Sequence, residues 1–442
     1  MARIAGKGRF WLALVIFGLT GQVAWVVENM YFNVFIYKMF NASASQISAM
    51  VSASAVAATV TTLLIGALSD KVGRRKIFIC VGYILWGLSI LGFAAIREDW
   101  IHSTFFAMVS YNGAALNLCI TLTILLDCVM TFFGSSANDA CFNAWLTDST
   151  DHTNRGAAEG INAMMPLVAI LAVFGGFMGF DLDQVSAWTT IFLIIGGAVI
   201  LIGILGLFLI KDTAVKIPEN GRYFANIVYG FRPSVMRQNK ILYVTLSAFA
   251  VFGISIQIFM PYLILYYQVS LQMEDYVLIM APAIVLASIA TAFYGRLYDR
   301  IGFVRSVIPA MGLLMAGYGV LYFCRTTAPV FIGSLLMMTG YLAGMAVFGA
   351  MLRDHTPENK AGMFQGLRIV GQVLIPGIIG PAIGSAVLKN ADTIINDDGT
   401  TSFIPNVNIF LAAAVVAVLV FATLVPIFRL KKRVRDYEGE NG

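Results

Sequence analysis

The sequence predicts an all-α integral membrane protein with twelve transmembrane helices, arranged as two pseudo-symmetric six-helix bundles. The chain has 442 residues, of which 59% are hydrophobic and only 12% charged, and its mean hydropathy is +0.81. Soluble globular domains contain about 25% charged residues, so this composition excludes an ordinary soluble protein. Twelve helices of about 20 apolar residues use about 240 residues and leave no room for a separate soluble catalytic domain.

The apolar runs give the predicted helices in chain order. They lie at 10–37, 44–68, 76–96, 117–147, 157–180, 188–211, 241–268, 275–298, 306–324, 330–351, 363–388 and 406–428. The first run far exceeds the roughly 7–15 apolar residues of a signal peptide, so we interpret it as a retained helix. Segment 97–116 is either an interfacial segment or part of the fourth helix.

The distribution of basic residues predicts the orientation. An even number of helices places both termini on one side, and 24 of the 29 Lys and Arg residues lie on that side, against four on the other. Cytoplasmic loops carry the excess of Lys and Arg, so both termini are predicted to be cytoplasmic. The short loops favour the plasma (inner) membrane. The predicted domains are bundles 1–211 and 241–428, a central cytoplasmic loop at 212–240 and a cytoplasmic tail at 429–442.

The two predicted bundles repeat each other. Gly66–Lys76 follows the second helix and Gly295–Arg305 follows the eighth, and both segments have the pattern G-x-L-x-D-x-x-G with basic residues around the second glycine. A second pair of motifs recurs at a constant spacing after helices four and ten: Asp148, Gly156, Glu159 and Gly160, and Asp354, Gly362, Gln365 and Gly366. Matched motifs at corresponding loops indicate a duplicated six-helix unit.

The loop Gly66–Lys76 and its weaker copy resemble the signature loop of the major facilitator superfamily. The resemblance implies the major facilitator fold, with a central cavity and transport by rocking of the two halves. It also implies that Asp70 faces the start of the eleventh helix as a latch. The basic residues of the loop are compatible with a purely topological role as well. The predicted gating motif consists of Gly66, Asp70, Gly73, Arg74, Gly295, Asp299 and Gly302.

A narrower resemblance is to the glycoside–pentoside–hexuronide:cation symporters, the melibiose-permease-like branch. It depends on the acidic and aromatic segment Glu28–Asn33, on Asp127 in the fourth helix and on the segment Asn138–Trp145. The resemblance implies a saccharide substrate and a coupling cation. Members of this branch usually carry acidic cation ligands in the second helix. The segment Met50–Leu68 contains no acid, which favours a proton over sodium.

Glu28 and Asp127 are the strongest candidate site residues. A charge inside a bilayer costs about 2.5–3.5 kcal/mol on insertion scales, so such residues normally face a cavity. Trp25, Glu28 and Asn29 lie at helical spacing, and an aromatic beside polar groups suits a sugar. Asp127 either binds substrate hydroxyls or carries the coupling proton; Glu28 is its expected partner in both roles. The structural alternatives are a polar patch that packs helices together and a fixed pair with a neighbouring helix.

In the second half, the predicted substrate-binding residues are the polar residues that lie deepest in helices seven and eleven. They are Gln257, Tyr262, Arg368 and Gln372. Arg368 either orients Asp127 or a substrate oxygen, or lies close enough to the surface to snorkel. Asp139, near the cytoplasmic end of the fourth helix, is interpreted as a gate residue that pairs with Arg155 or with a basic residue of the second half.

These observations predict a secondary active transporter that takes up a sugar or glycoside together with a cation, by alternating access. The alternatives are an exporter or importer of a non-sugar amphipathic solute (a drug, a lipid-like molecule or a peptide fragment) and a receptor or scaffold without transport activity. No H-E-x-x-H, G-x-S-x-G or Walker-type motif is present, so we predict no enzyme activity, catalytic residue or cofactor. No metal site is predicted. The expected partners are a small-molecule substrate, a coupling cation and membrane lipid, without nucleic acid, and one chain is expected to suffice.

Overall fold

The computed structural model describes residues 8–105, 113–150, 155–211, 229–273, 275–356, 366–396 and 399–440. Within these ranges the chain is almost entirely helical. The helices of the first half are α1 (Gly8–Phe40), α2 (Ala44–Val72), α3 (Arg75–Phe93), α4 (Glu98–Phe105), α5 (Ala114–Ser149), α6 (Arg155–Phe177) and α7 (Val185–Leu209). Those of the second half are α8 (Pro233–Gln238), α9 (Lys240–Ser270), α10 (Tyr276–Phe323), α11 (Thr327–Asp354), α12 (Gly366–Val387) and α13 (Asn408–Glu440).

Eleven helical segments of the described residues are long and apolar enough to cross a membrane. Two of them, Tyr276–Tyr294 and Arg296–Phe323, lie within α10, where Gly302 has a non-helical backbone (φ 74°, ψ 175°). The fifth predicted helix corresponds to α6, whose described apolar stretch is Met164–Phe177. Exposed apolar side chains such as Phe208, which is 70% exposed on α7, are those expected of helices that face lipid.

Several boundaries differ from the predicted ones. Segment 97–116 contains a separate short helix, α4, and the predicted central loop 212–240 contains α8 and the first residue of α9. The predicted tail 429–442 is helical as far as Glu440. Two short strands, β1 (Thr393–Ile395) and β2 (Thr401–Phe403), form a hairpin between α12 and α13, which is a small departure from the all-α prediction.

The chain divides into two compact units, Met1–Phe224 with Ile394–Ser402, and Ala225–Thr393 with Phe403–Gly442. In the first unit, α5 packs against α1, α2 and α3, while α3 also packs against α7 and α1 against α6. In the second unit, α9 packs against α12 and α13, and the two parts of α10 pack against α11. The central place of α5 brings polar residues of three helices together in the first unit.

The tip of the β-hairpin belongs to the first unit, where it binds the C-terminal end of α1. Asn41 follows the last residue of α1 in a left-handed conformation (φ 53°), which Asn tolerates better than most residues. Its Nδ2 donates to Thr400 Oγ1 at 2.7 Å, and Asn396 Nδ2 donates to Asn41 Oδ1 at 3.0 Å. The hairpin is therefore held to α1 by side-chain amides and hydroxyls.

Candidate functional site

Two of the first unit's helices widen into π-helical turns where they carry acidic residues. In α1 the turn covers Val27–Tyr31 and includes Glu28, and in α5 it covers Ser135–Phe142 and includes Asp139. A π-helical turn inside an α-helix frequently marks a functional site, because the extra residue frees backbone groups and redirects side chains. Helical periodicity alone did not predict these turns.

Three contacts define how α1 lies along α5. Thr131 Oγ1 donates to Glu28 Oε1 at 2.8 Å. A Cβ added to Gly134 would lie 3.0 Å from Trp25 Cη2, and one added to Gly21 would lie 2.5 Å from Asn138 Oδ1. From one contact to the next, the residue numbers fall along α1 (28, 25, 21) and rise by the same steps along α5 (131, 134, 138). The two helices are therefore antiparallel in one register, and their polar residues form successive layers.

The outer layer, which we define as Glu28, Asp127, Ser54 and Thr131, contains two carboxyl groups joined through hydroxyls. Ser54 Oγ donates to Asp127 Oδ2 and lies 3.2 Å from Thr131 Oγ1, which in turn donates to Glu28. The side chains of Glu28 and Asp127 are buried, with residue exposures of 7% and 2%. The sequence identified the two acids but not the two hydroxyl groups between them.

The two carboxyl groups of the outer layer each have an oxygen atom without a partner. Glu28 Oε2 and Asp127 Oδ1 are buried and form no hydrogen bond within the described part of the chain. Neither residue belongs to the ion pairs found there, which join Lys38 with Asp183, Arg75 with Asp148, and Arg97 with Asp99. Isolated buried carboxylates are strongly unfavourable, so this layer suits the binding of a proton, a cation or a hydrogen-bond donor.

An aromatic layer follows the outer layer along α1. The indole rings of Trp25 and Trp86 lie 5.0 Å apart at 45°, and both pack against Gly134, where an added Cβ would lie 2.7 Å from Trp86 Cε2. Trp86 is fully buried, whereas Trp25 is half-buried. Trp25 therefore leaves part of its ring accessible, three residues before Glu28 on α1.

The inner layer, which we define as Asp139, Ser135, Asn138 and Tyr83, is bound together by neutral donors. Ser135 Oγ donates to Asp139 Oδ2 at 3.0 Å and Asn138 Nδ2 donates to Oδ1 at 3.2 Å. Tyr83 Oη contacts both Asn138 Oδ1 (3.0 Å) and the carbonyl oxygen of Phe17 (2.9 Å). The predicted partner Arg155 has a side chain outside the described residues, so the gate role of Asp139 remains a hypothesis.

Asn29, predicted to bind substrate, turns back onto its own helix. Its Nδ2 donates to the carbonyl oxygen of Trp25 at 2.8 Å, in the turn that leads into the π-helical segment. Asn33 repeats this contact one turn later, with Nδ2 on the carbonyl oxygen of Asn29 at 3.0 Å. The side chain of Asn29 thus stabilises the turn that carries Glu28.

The second unit's predicted site residues lie on α9 and α12, which approach each other closely. A Cβ added to Gly380 would lie 2.4 Å from Gln257 Cβ, so Gln257 is at this helix contact. Tyr262 is fully buried and its hydroxyl is 3.5 Å from the carbonyl oxygen of Pro381, which indicates a packing role. Arg368 and Gln372 are half-buried, and Arg368 Nε has no hydrogen-bond partner among the described residues.

Both repeated loops have a positive φ at their second glycine, although ψ differs (16° at Gly73 and 175° at Gly302). Gly73 and Gly302 have φ values of 69° and 74°, in the left-handed region that favours glycine. Gly66 lies inside α2, and Arg74 is exposed immediately after Gly73. Gly295 and Asp299 lie in α10. The side chain of Asp70 lies outside the described residues, so its predicted latch remains a prediction.

Each loop is tied to the end of a later helix by a residue that sequence reasoning missed. In the first unit, buried Arg75 donates from Nε to Asp148 Oδ2 at 3.1 Å and from a terminal nitrogen to Ser69 Oγ at 2.7 Å. In the second unit, Tyr298 Oη donates to Asp354 Oδ2 at 2.5 Å. Ser69 and Tyr298 are equivalent in the repeat, as are Asp148 and Asp354. The repetition therefore extends from sequence to contacts.

Comparisons with known proteins agree with the architecture. Residues 10–381 and 283–440 match the family model described as Major Facilitator Superfamily. The fold is similar to that of the nucleoside transporter NupG (TM-score 0.67, 13% identity, covering 94% of this chain and 98% of that one). It is also similar to that of the xylose transporter XylE from E. coli (TM-score 0.66, 15% identity, covering 95% of this chain and 98% of that one). A third similar structure is an occupied, inward-facing bacterial homologue of the human lysosomal transporter Spinster (TM-score 0.67, 15% identity, covering 95% of this chain and 96% of that one).

A search of curated proteins finds no match to the sequence. The resemblance to the melibiose-permease-like branch is therefore not confirmed and stays a prediction. The similarities to solved structures are all at low identity and concern the fold.

Proposed function

The chain belongs to the Major Facilitator Superfamily, and on that basis we propose that it imports a sugar or glycoside together with a proton. Membership makes the protein a multi-pass membrane transporter and not an enzyme. Family membership does not specify the substrate class, the coupling ion or the direction of transport, and these are part of the proposal. We also propose that the protein lies in the plasma membrane with both termini in the cytoplasm, and that a single chain is sufficient for transport.

The outer layer is the observation that carries the proposal. Glu28 experiences the negative charge of Asp127, and no basic side chain of the described residues pairs with either of them. One proton shared by such a pair removes the repulsion between two buried charges. The remaining free oxygen then accepts hydrogen bonds from a bound solute. A proton and a substrate thus bind to the same layer and favour each other, which is the basis of symport.

The side chains of helix α2 support a proton rather than sodium. Helix α2 contributes the hydroxyl of Ser54 to the layer and no carboxylate, since the segment Met50–Leu68 contains no acid. Beyond the two unpartnered carboxyl oxygens, the oxygen atoms that a larger cation needs would have to come from groups already engaged in hydrogen bonds to one another.

The chemistry of the aromatic and outer layers supports a polyhydroxylated substrate. Trp25, whose ring is half-buried, precedes Glu28 by three residues on α1, so a sugar ring stacked on the indole would have hydroxyls within the same region as the free carboxyl oxygen atoms. Xylose and nucleosides, named for two proteins of similar fold, are likewise rings with several hydroxyls. A site built to bind hydroxyls strongly rejects ligands that lack them.

The test is counterflow in proteoliposomes with a panel of labelled monosaccharides, disaccharides and nucleosides, followed by accumulation under proton or sodium gradients. Glu28→Gln and Asp127→Asn are expected to abolish proton-driven accumulation. Asp99→Asn is the matched control, because Asp99 is exposed and its hydrogen bond from Arg97 lowers its pKa, so it carries no proton at working pH. Counterflow of apolar solutes alone, or accumulation driven only by sodium, would contradict the proposal.

A further inference from the structure

Asp139 is a third acidic residue in the interior of the first unit, and the proposed function leaves it without a task. It is half-buried, and its two carboxyl oxygens accept hydrogen bonds from Ser135 Oγ and Asn138 Nδ2, with the indole of Trp25 as a further neutral neighbour. It forms no ion pair with any basic side chain of the described residues. Neutral donors do not compensate a partly buried carboxylate as a cation would, so the group is suited to gain and lose a proton.

The position of Asp139 relative to the outer layer follows from the register of α1 and α5. Its neighbour Asn138 lies opposite Gly21, seven residues before Glu28 on α1. At 1.5 Å per residue, the inner layer is about 10 Å from the outer layer. The displacement is toward the N-terminal end of α1, which the distribution of basic residues predicts to be cytoplasmic. Asp139 is therefore placed between the proposed coupling pair and the predicted cytoplasmic side.

The aromatic layer lies between the two acidic layers. Trp25 lies next to Asp139 as a further neutral donor. Glu28 experiences the charge of Asp127 most strongly and that of Asp139 more weakly. Asp139 is thus electrically coupled to the outer layer although it is too distant to share its hydrogen bonds.

The titratable groups around Asp139 are few. Helix α1 contributes Glu28 and α3 contributes Tyr83, whose hydroxyl also experiences the charge of Asp139. Helix α2, which packs against the same π-helical turn, carries titratable side chains only at its end, Asp70 and Lys71. No basic residue of these elements holds Asp139 permanently ionised within the described structure.

We propose that Asp139 is the inner proton relay of the transporter. After substrate and proton have entered together, the proton leaves the Glu28–Asp127 pair, crosses by way of intervening water, and binds the carboxylate of Asp139. Asp139 then releases it to the cytoplasmic side, so that the outer pair returns to its unprotonated form and the relay to its carboxylate. The inference depends on the proposed proton coupling. It gives Asp139, which lies outside the outer layer, a role in transferring the proton.

The experiment compares Asp139→Asn and Asp139→Glu with wild type in proteoliposomes, using the sugar that the counterflow panel identifies. Counterflow exchanges labelled for unlabelled sugar without net release of protons, whereas accumulation requires release in every cycle. Asp139→Asn is expected to keep the KM and rate of counterflow within about twofold, and to slow proton-driven accumulation by about a hundredfold, the lower end of the range for loss of a proton-transfer group. Asp139→Glu is expected to restore accumulation, with a shifted pH profile.

Two results would overturn the relay. Wild-type accumulation in Asp139→Asn would show that no proton passes through this residue. Loss of counterflow together with accumulation would assign Asp139 to the substrate site or to the fold. Failure of the proposed function is distinguishable, because wild type itself would then show no proton-driven accumulation.

Discussion

Thr131 donates a hydrogen bond of 2.8 Å to Oε1 of Glu28, and this contact joins α1 to α5 at the level of the candidate site. Because Ser54 lies 3.2 Å from the same hydroxyl and donates to Asp127, one Thr side chain links both buried acids. The outer layer is therefore a continuous polar chain through three helices, and a change at one member is felt by the others.

Thr131→Val removes the central hydroxyl while keeping the shape of the side chain. Glu28 then loses a hydrogen bond and is left with two unpartnered oxygens, at a cost of about 1–3 kcal/mol for a buried polar group. We expect proton-driven accumulation to fall strongly, and Thr131→Ser, which keeps the hydroxyl, to retain it. Initial rates of accumulation in proteoliposomes check this. Equal rates in the Val and Ser variants would show that the hydroxyl has no part in coupling.

Gly134→Ala tests whether Trp25 needs its present position. The added methyl would lie 2.7 Å from Trp86 Cε2 and 3.0 Å from Trp25 Cη2, so at least one indole ring must move. Overpacking of this kind costs about 1–3 kcal/mol, and we expect a raised KM for sugar counterflow with a modest loss of thermal stability. Gly197→Ala is the matched control, because an added Cβ there meets no atom within 4 Å. An unchanged KM in Gly134→Ala would argue against a substrate contact at Trp25.

Arg75→Ala tests the tie between the first signature loop and α5. Arg75 is buried, with 4% exposure, and its removal leaves Ser69 and Asp148 without their donor. We expect the free energy of unfolding to fall by about 1–3 kcal/mol, seen as a lower melting temperature of the purified protein in detergent. Its exposed neighbour provides the control Arg74→Ala. Similar melting temperatures for the two variants would show that the buried contacts add little stability.

Asp70→Asn tests the latch implied by the family resemblance. The substitution keeps the size of the side chain and removes its charge, so insertion into the membrane is expected to be normal while transport is impaired. Fluorescence of a fused reporter measures insertion, and counterflow measures transport. Lys71→Gln is the neighbouring control for a charge change at the same helix end. Normal counterflow in Asp70→Asn would contradict the latch.

The fold was predictable because the membrane imposes a strong constraint on composition. Apolar runs, the duplicated loop motifs and the excess of Lys and Arg on one side are all readable in one dimension. The boundaries of α4, α8 and α13 could not be predicted in this way. Helices α4 and α8 are short and polar, and α13 continues beyond its apolar run, so none of these boundaries has a hydropathy signal. The hairpin Thr393–Phe403 was missed for the same reason.

Sequence analysis identified only the residues of the candidate site whose charge makes them energetically unfavourable inside a membrane. Glu28 and Asp127 are conspicuous because a charge in an apolar helix is expensive. Ser54 and Thr131 were not identified, because hydroxyl side chains are common in membrane helices and readily bond to their own backbone. The i, i+4 spacing of Asp127 and Thr131 was the available signal. The π-helical turns of α1 and α5 depend on tertiary packing that periodicity does not contain.

We propose that the outer layer couples a proton to the substrate. The pH change of a weakly buffered suspension of proteoliposomes on addition of substrate measures this coupling most directly. We expect the medium to become more alkaline as sugar enters vesicles that contain the wild-type protein. Asp127→Asn is expected to abolish this change, and Asp99→Asn to preserve it. Sugar entry without alkalinisation in wild type, or an unchanged proton-to-sugar ratio in Asp127→Asn, would contradict the account.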